Sequence, residues 1–325
     1  MKPKVLVTRE VFAETLDYLS EHCEVESNQR DQPFDPESLA GRIGDKAGIM
    51  CALTDRIDGK LLERARELKV VANIAVGYNN IDVPACTARG ILATNTPGVL
   101  DDSTADLAFA LMLAAARRLT EVERYIREGE WTGWRLKQWL GVDVHHSTLG
   151  IIGMGRIGQV IARRASGFEM KVLYSNRKPV GSEIEQRLRA TYVTREDLLQ
   201  RSDFVILQVP YSAETQHLIG ARELALMKPT AILVNSTRGG VVDDIALIAA
   251  LKNGTIRGAG LDVFENEPKL NPGFFELRNV VLAPHIGSST EATRRAMAMA
   301  AAKNLVAALT GATPPNLLNP DAKKH

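Results

Sequence analysis

Cysteine is scarce in this 325-residue chain: there are three, Cys23, Cys51 and Cys86. Their scatter matches no metal-ligand or redox spacing, and they read as reduced core thiols of a cytoplasmic protein. Excess charge is also missing. Forty Lys and Arg stand against 39 Asp and Glu, and a net charge of +1 argues against an electrostatic role on nucleic acid or a membrane surface. The first ten residues, MKPKVLVTRE, lack the apolar core of a secretory signal. The longest apolar run, Leu107 to Ala116, is too short to span a bilayer and reads as a buried helix. Low-complexity segments and short-period repeats are absent. What the chain does have is hydrophobic residues, 45% of the total, enough for a sizeable core spread over two domains of ordinary size.

The most informative stretch is STLGIIGMGRIGQVIA, Ser147 to Ala162. Leu149, Ile151 and Ile152 make a short apolar strand, and Val160, Ile161 and Ala162 continue at helical spacing. Between them Gly153, Gly155 and Gly158 form G-x-G-x-x-G in the strand-to-helix setting of a dinucleotide site. The first glycine allows the tight turn, the second lets backbone approach a pyrophosphate, and the third lets helix and strand pack closely. The helix N-terminus then offers N–H groups and a positive dipole end to the phosphates.

Around this motif the chain alternates. Strands are predicted at Val5–Val7, Ile49–Leu53, Val70–Ala75 and Ile91–Thr94. Helices are predicted over Glu10–Ser20 and Lys60–Leu68, and from Asp82 as N-cap to about Gly90. One long helix is expected from Ser103 to Glu128, its apolar first half buried on every side. An irregular stretch with all three tryptophans, Trp131, Trp134 and Trp139, follows it. After the glycine motif, strands are predicted at Val172–Tyr174, Phe204–Val209, Ile232–Asn235, Ala259–Asp262 and Val280–Ala283. Helices are expected near Arg195–Gln200, Ala221–Met227 and Asp243–Asn253, and an amphipathic helix over Ser288–Leu309. Alternation without hairpin signals means parallel sheets, so the fold class is α/β with two doubly wound domains. A last helix that crosses back to the first unit makes one domain discontinuous: residues 1–99 with 290–325, around a dinucleotide-binding domain of 100–289. A cleft between two such domains is a common place for a small-molecule site.

Three polar residues stand just beyond strand ends in the second half, where open α/β sheets collect ligands. They are Arg238 in LVNSTRGGVVDD, Glu267 in LDVFENEP and His285 in VLAPHIGSST. Reduction of a carbonyl needs a proton donor, an electrostatic clamp and a positioned substrate, and these side chains can supply them. Each also has a plain structural reading, and it is their ordered appearance behind a dinucleotide motif that marks them. The strand after the glycine motif ends in Ser175, Asn176, Arg177 and Lys178, with no carboxylate for the adenosine ribose hydroxyls. A hydroxyl, an amide and two cations suit a 2′-phosphate, so NADP(H) is the preferred cofactor and NAD(H) the alternative. The pair His145-His146 beside Asp143 has no second ligand cluster, and no metal is expected.

Together VGYNNIDVPA, TPGVLDDSTAD, TLGIIGMGRIGQVIA, SDFVILQVPYSAET, NSTRGGVVDD, GLDVFENEP and PHIGSST resemble the D-isomer-specific 2-hydroxyacid dehydrogenase family over almost the whole chain. EGEWTGWRL resembles its glyoxylate/hydroxypyruvate reductase branch, which includes 2-ketogluconate reductases. The resemblance implies a flavodoxin-like substrate domain beside a Rossmann domain. It implies that Arg238 binds the substrate carboxylate and carbonyl, that His285 is the general acid in reduction, and that Glu267 orients His285 and favours its protonated form. Val76 and Gly77 would receive the substrate carboxylate through backbone N–H groups, with Leu53 lining the same pocket. Met154, Gly155, Arg156 and Ile157 would line the pyrophosphate. Thr104, Val209, Pro210, Thr215, Ser236, Thr237, Asp262 and Gly287 would line the rest of the cofactor, beside Arg238 and His285. Asn79 departs from a position often acidic in the family. The segment of about 101–147 would be a dimerisation arm, so a homodimer is expected. Two alternatives stay open: a cofactor-sensing, corepressor-like binding protein on the same fold, and another member such as a phosphoglycerate dehydrogenase. The ending NLLNPDAKKH, with no appended domain, favours the plain enzyme.

Overall fold

The computed structural model describes residues 1–324 and divides them into two units, Met1–Leu100 with the segment from Ser289 onward, and Asp101–Ser288. The chain begins β1 (Lys4–Val7), α1 (Ala13–His22), β2 (Glu24–Ser27), α2 (Pro36–Arg42), β3 (Gly48–Cys51), α3 (Gly59–Arg64), β4 (Val70–Asn73), α4 (Val83–Ala88) and β5 (Leu92–Thr94). It continues through α5 (Asp101–Ala116), α6 (Leu119–Arg127), β6 (Thr148–Ile152), α7 (Arg156–Ala165), β7 (Lys171–Ser175), α8 (Ser182–Leu188), β8 (Ala190–Tyr192) and α9 (Arg195–Arg201). Then come β9 (Phe204–Leu207), α10 (Ala221–Leu226), β10 (Ile232–Asn235), α11 (Asp244–Lys252), β11 (Gly258–Leu261), β12 (Val280–Leu282) and α12 (Glu291–Leu309).

In the first unit five parallel strands run in the order β2-β1-β3-β4-β5. Side chains alternate across the sheet as a strand requires. Val5, Val7, Met50, Val70 and Ala72 face α1 and α12, whose Leu19, Ala298, Ala301 and Leu305 complete that layer. Leu6, Ile49, Cys51, Val71 and Ala93 face the other way, onto Leu39, Ile43, Leu61, Leu62 and Cys86. Asp35, Asp58 and Asp82 cap α2, α3 and α4 by accepting the N–H groups of Ser38, Leu61 and Ala85. The three cysteines are buried free thiols, and burial pushes Cys86 up to about 12.

In the second unit seven parallel strands run in the order β12-β11-β10-β9-β6-β7-β8. This is the doubly wound arrangement, whose winding reverses between β6 and β9. Leu149, Ile151, Val172, Tyr174, Phe204, Ile206, Ile232 and Val234 pack against α5 and α7. Ile152, Leu173, Val205, Leu207, Leu233 and Leu261 pack against α9, α10 and α11.

The single long helix expected from Ser103 to Glu128 is two. α5 ends at Ala116, Arg118 turns left-handed at φ 56°, and α6 begins at Leu119. No glycine or proline marks that break. Arg118 instead closes a bidentate ion pair with Glu121 and lies over the Trp139 ring. Nor is α5 buried all round: Ala105, Ala108, Phe109, Leu111 and Met112 are covered, while Asp102, Asp106 and Ala110 are exposed. No described helix is long and apolar enough to cross a membrane.

Candidate active site

The glycine turn after β6 sits at the point where the winding of the seven-stranded sheet reverses. Gly153 has φ 105°, and a Cβ there would lie 2.2 Å from the Gln208 carbonyl oxygen. A Cβ on Gly158 would lie 2.2 Å from the Gly153 carbonyl oxygen. Packing alone therefore demands glycine at both positions. Gly155 is different. It N-caps α7 with an ordinary φ of −75°, and nothing lies within 4 Å of where its Cβ would be. Neither backbone strain nor protein packing explains a glycine here, whereas the approach of a pyrophosphate does. The first-turn N–H groups of α7, at Arg156, Ile157 and Gly158, have no acceptor within the helix and suit those phosphates. The residues present thus fit a bound dinucleotide.

Met154 buries its side chain in the core and donates its N–H to Asn176 Oδ1 at 2.7 Å. The group Asn176 can offer a ribose or phosphate is therefore its Nδ2 amide. The Ser175 carbonyl accepts the Gly153 N–H at 3.0 Å, so the end of β7 is tied to the glycine turn from both sides. Arg177 and Lys178 are exposed beyond it; the Glu214 carboxyl is held below its ordinary pKa first by the Ser212 hydroxyl, with the Arg177 charge adding to it. Thr215 Oγ1 donates to the Pro210 carbonyl and accepts the Ser212 N–H, both at 2.7 Å, which fixes the loop after Val209. Ser236 Oγ accepts Gln208 Nε2 at 2.9 Å, and Asn235 Oδ1 accepts both the N–H and the hydroxyl of Thr237. Thr104 of α5 lies beside Gly287.

The three polar residues beyond the strand ends occupy neighbouring loops. His285 follows β12 at φ 56°, and its Nδ1 is 2.8 Å from Glu267 Oε2. Glu267 Oε1 accepts the Phe264 N–H at 2.8 Å, which fixes the carboxylate in its own turn. Burial opposes ionisation of Glu267, but the hydrogen bond and charge of His285, the Phe264 amide and the Arg238 charge together outweigh it. The carboxyl ends below the ordinary glutamate range, so it is ionised and accepts from the imidazole. Arg238, half-buried after β10, bonds the Thr237 carbonyl through one terminal nitrogen at 2.7 Å. Burial pulls its guanidinium down and the Glu267 charge works against that.

Asp262 is buried and clamps the His285 turn. Its carbonyl accepts the His285 N–H at 2.9 Å, and its two carboxylate oxygens accept the Ile286 and Gly287 N–H groups at 2.7 and 2.8 Å. Burial raises its carboxyl pKa against those two bonds and the charge of His285. A largely apolar cavity of about 300 Å³ borders the Glu267–His285 pair, walled by Phe264, Leu270, Phe275, Leu282 and Pro284.

Leu53, Val76 and Gly77 belong to the first unit, in the loops that leave the C-terminal ends of β3 and β4. Behind them lies a group of amides that sequence reasoning missed: Asn73, Asn80 and Asn95. Asn80 Nδ2 donates to the Ala52 and Asp55 carbonyls at 3.0 and 3.1 Å, and Asn73 and Asn80 exchange reciprocal bonds at 3.3 Å. The one sequence signal is an amide at the end of an apolar strand, as Asn73 is in VVAN; Asn80, in the loop that follows, carries none. His145 and His146 stand exposed on the loop before β6, beside Asp143 and Glu169.

Residues 109–287 match the family model "D-isomer specific 2-hydroxyacid dehydrogenase, NAD binding domain". The whole chain is 51% identical to a glyoxylate reductase of Thermococcus gammatolerans, over 98% of that protein. Among solved structures it is similar to a glyoxylate reductase of Paecilomyes thermophila, at 34% identity and a TM-score of 0.88, over 98% of each chain. It is also similar to an NADPH-dependent glyoxylate/hydroxypyruvate reductase of Sinorhizobium meliloti in complex with NADP and malonate. That likeness has 33% identity and a TM-score of 0.86, over 99% of this chain and 98% of that one.

Proposed function

Since the chain belongs to the D-isomer specific 2-hydroxyacid dehydrogenase family and is an NAD(P)-dependent dehydrogenase, we propose that it reduces small 2-keto acids to D-2-hydroxy acids, glyoxylate first among them. Hydroxypyruvate and 2-ketogluconate are the further substrates of this reading. The observation that carries it is the Glu267–His285 pair, a carboxylate held ionised against one imidazole nitrogen. With Nδ1–H given to Glu267, the proton on Nε2 is the one His285 can deliver to a carbonyl oxygen. Arg238 neutralises the charge that gathers on that oxygen and binds the carboxylate through its planar fork. On the first unit, the N–H groups of Val76 and Gly77 take the carboxylate, with Leu53 against the substrate. The nicotinamide, when bound, supplies the hydride.

The cofactor reading is NADPH before NADH. It is supported by the missing carboxylate at the end of β7 and by the exposed Arg177 and Lys178 there. In a relative solved with NADP the fold is the same. A homodimer built on the segment 101–147 and a cytoplasmic setting, in keeping with three free buried thiols, complete the proposal. A sensor on this fold would bind the dinucleotide without turnover.

The test is kcat/KM for glyoxylate, hydroxypyruvate and 2-ketogluconate with each cofactor, in the unmodified protein and two variants. His285→Ala should lower kcat by about 10²–10⁴. Arg177→Ala should raise KM for NADPH far more than for NADH, since the 2′-phosphate contributes uniform binding remote from the reacting carbon. Near-normal turnover in a folded His285→Ala would sink the mechanism. Equal kcat/KM for NADPH and NADH in the unmodified protein would sink the cofactor preference.

A further inference from the structure

Three consecutive carbonyls in the loop after β4 are each held by a hydrogen bond. The Ala75 oxygen accepts the Thr96 N–H at 3.0 Å, the Val76 oxygen accepts Asn95 Nδ2 at 2.8 Å, and the Gly77 oxygen accepts Asn73 Nδ2 at 2.9 Å. All three donors stand at the C-terminal ends of β4 and β5. In a trans peptide the N–H of the next residue points opposite to the carbonyl. Tying down Ala75, Val76 and Gly77 therefore fixes the N–H groups of Val76, Gly77 and Tyr78 as a row of donors, each directed away from the group that holds the carbonyl of its own peptide. Successive backbone N–H groups directed one way make an anion-binding surface.

We propose that Asn73 and Asn95 are positioning residues whose side-chain amides lock this row of three N–H groups for a substrate carboxylate, with Tyr78 as a third donor beside Val76 and Gly77. This rests on the 2-keto acid reading given above. The two amides are themselves braced. Asn73 is fully buried, and Asn80 bonds it from one side while the Cys51 thiol lies 3.7 Å from its Oδ1 on another. Asn95 has its carbonyl bonded by Asn304 Nδ2 at 2.9 Å and its N–H bonded to the Asn316 carbonyl at 3.3 Å. Neither amide is needed to pair the strands, since the ladder of β4 with β3 and β5 is complete without them. What they hold is the direction of two peptide planes. Because a carboxylate meets the row in the ground state and keeps the same contacts through reduction, the amides act on binding rather than on the chemical step.

The experiment compares Asn73→Asp, Asn95→Ala and a control, Asn319→Ala, with the unmodified protein. Asn319 is equally buried in the same unit but bonds Ala93 N–H and the Ile91 carbonyl, away from the loop. KM for glyoxylate and Kd for oxamate, a keto-acid mimic that is not reduced, are measured at saturating NADPH, with kcat and NADPH affinity alongside. Asn73→Asp and Asn95→Ala should raise both constants about tenfold, the scale of one charge-assisted hydrogen bond, with kcat within about threefold. NADPH affinity should not move. Asn319→Ala should lower Tm and leave both constants in place. Should Asn73→Asp fail to fold, Asn95→Ala decides. Unchanged constants in a folded Asn95→Ala overturn the proposal, and so does an equal rise in Asn319→Ala. If the unmodified protein reduces no 2-keto acid, the functional reading fails, and oxamate binding by calorimetry still decides this one. Binding that weakens in the two variants upholds the locked row, and no binding overturns it.

Discussion

Asp244 shows how a single buried carboxylate can work against the fold while serving the site. It is 4% exposed at the start of α11, and its Oδ2 accepts the Glu265 N–H at 3.1 Å. Burial raises its pKa from 3.8 to about 6, against that hydrogen bond, with the nearby Glu265 and Asp243 charges adding to the rise and His217 opposing it. Between pH 3.8 and about 6 the folded chain holds a proton that the unfolded chain has lost. Stability from this group is therefore complete below the lower value and lost as pH rises through the upper one. At neutral pH the charged form remains, and the bond to Glu265 anchors the loop that carries Glu267. Asp244→Asn keeps an acceptor for that N–H and removes the charge. It should stabilise the protein by about 1–3 kcal/mol at pH 8, with the gain vanishing towards pH 4. Denaturant unfolding at the two pH values checks this. A gain of equal size at both would mean that the carboxylate's ionisation is not what costs stability. This residue was not legible as such: the sequence predicts a helix near Asp243–Asn253, and only the fold reveals that Asp244 in its first turn is buried.

At the scale of elements, the glycine turn separates what the fold needs from what a ligand needs. Gly158→Ala drives a Cβ into the Gly153 carbonyl at 2.2 Å, a backbone clash that only a shift of α7 against β6 can relieve. It should cost at least 1–3 kcal/mol and lower Tm by several degrees. Gly155→Ala meets nothing within 4 Å. It should leave Tm nearly unchanged while weakening NADPH binding about tenfold or more, because the new methyl stands where the pyrophosphate approaches. Calorimetry for Tm and fluorescence titration for NADPH separate the two, and equal losses of both in Gly155→Ala would count against a phosphate at that turn. The motif was readable because strand, turn and helix each leave a local signature. Central strands were readable for the same reason: β10 is Ile232–Asn235 as its apolar run predicts, and others end within a residue or two of theirs. Of the four edge strands, β5 and β12 were readable as well, but β2 and β8 were not: β2 reads EVES and β8 reads ATY, short and half-exposed, with too little apolar periodicity to register. α2 was missed although Asp35-Pro36 is a cap followed by proline at the first helical position. The site divides likewise. Arg238, Glu267 and His285 announce themselves by following strands, whereas the carbonyls held by Asn73 and Asn95 depend on contacts across 4 and 19 positions.

For the molecule as a whole, the segment after α5 carries apolar surface that its own chain does not cover. None of the residues of α6 is buried, and Leu119 and Ile126 stand more than half exposed on it. Beyond it Trp131, Trp134, Leu136 and Leu140 are also exposed, Trp134 at 79%. Trp139 alone of the tryptophans is held within the chain, tilted against Tyr125 with ring centroids 4.9 Å apart and overlain by Arg118. Six large apolar side chains in one run are more than a single subunit ordinarily leaves in water. Covering them at about 25 cal/mol per Å² gives a strong drive to association. A two-fold pairing satisfies it most simply, since one self-complementary patch then covers its own copy and the assembly closes. The neutral net charge of +1 offers little electrostatic resistance to like subunits meeting. We therefore predict a homodimer in sedimentation velocity at micromolar concentration. Replacing Ile126 and Trp134 together by glutamate should yield monomers, because two desolvated carboxylates per subunit would have to enter the interface without partners. Neither residue belongs to the cores of the two sheets, so the monomers should keep the circular dichroism of the unmodified protein. A monomer in the unmodified protein at that concentration would refute the assignment of this segment to subunit contact, and would leave its tryptophans in need of a different partner.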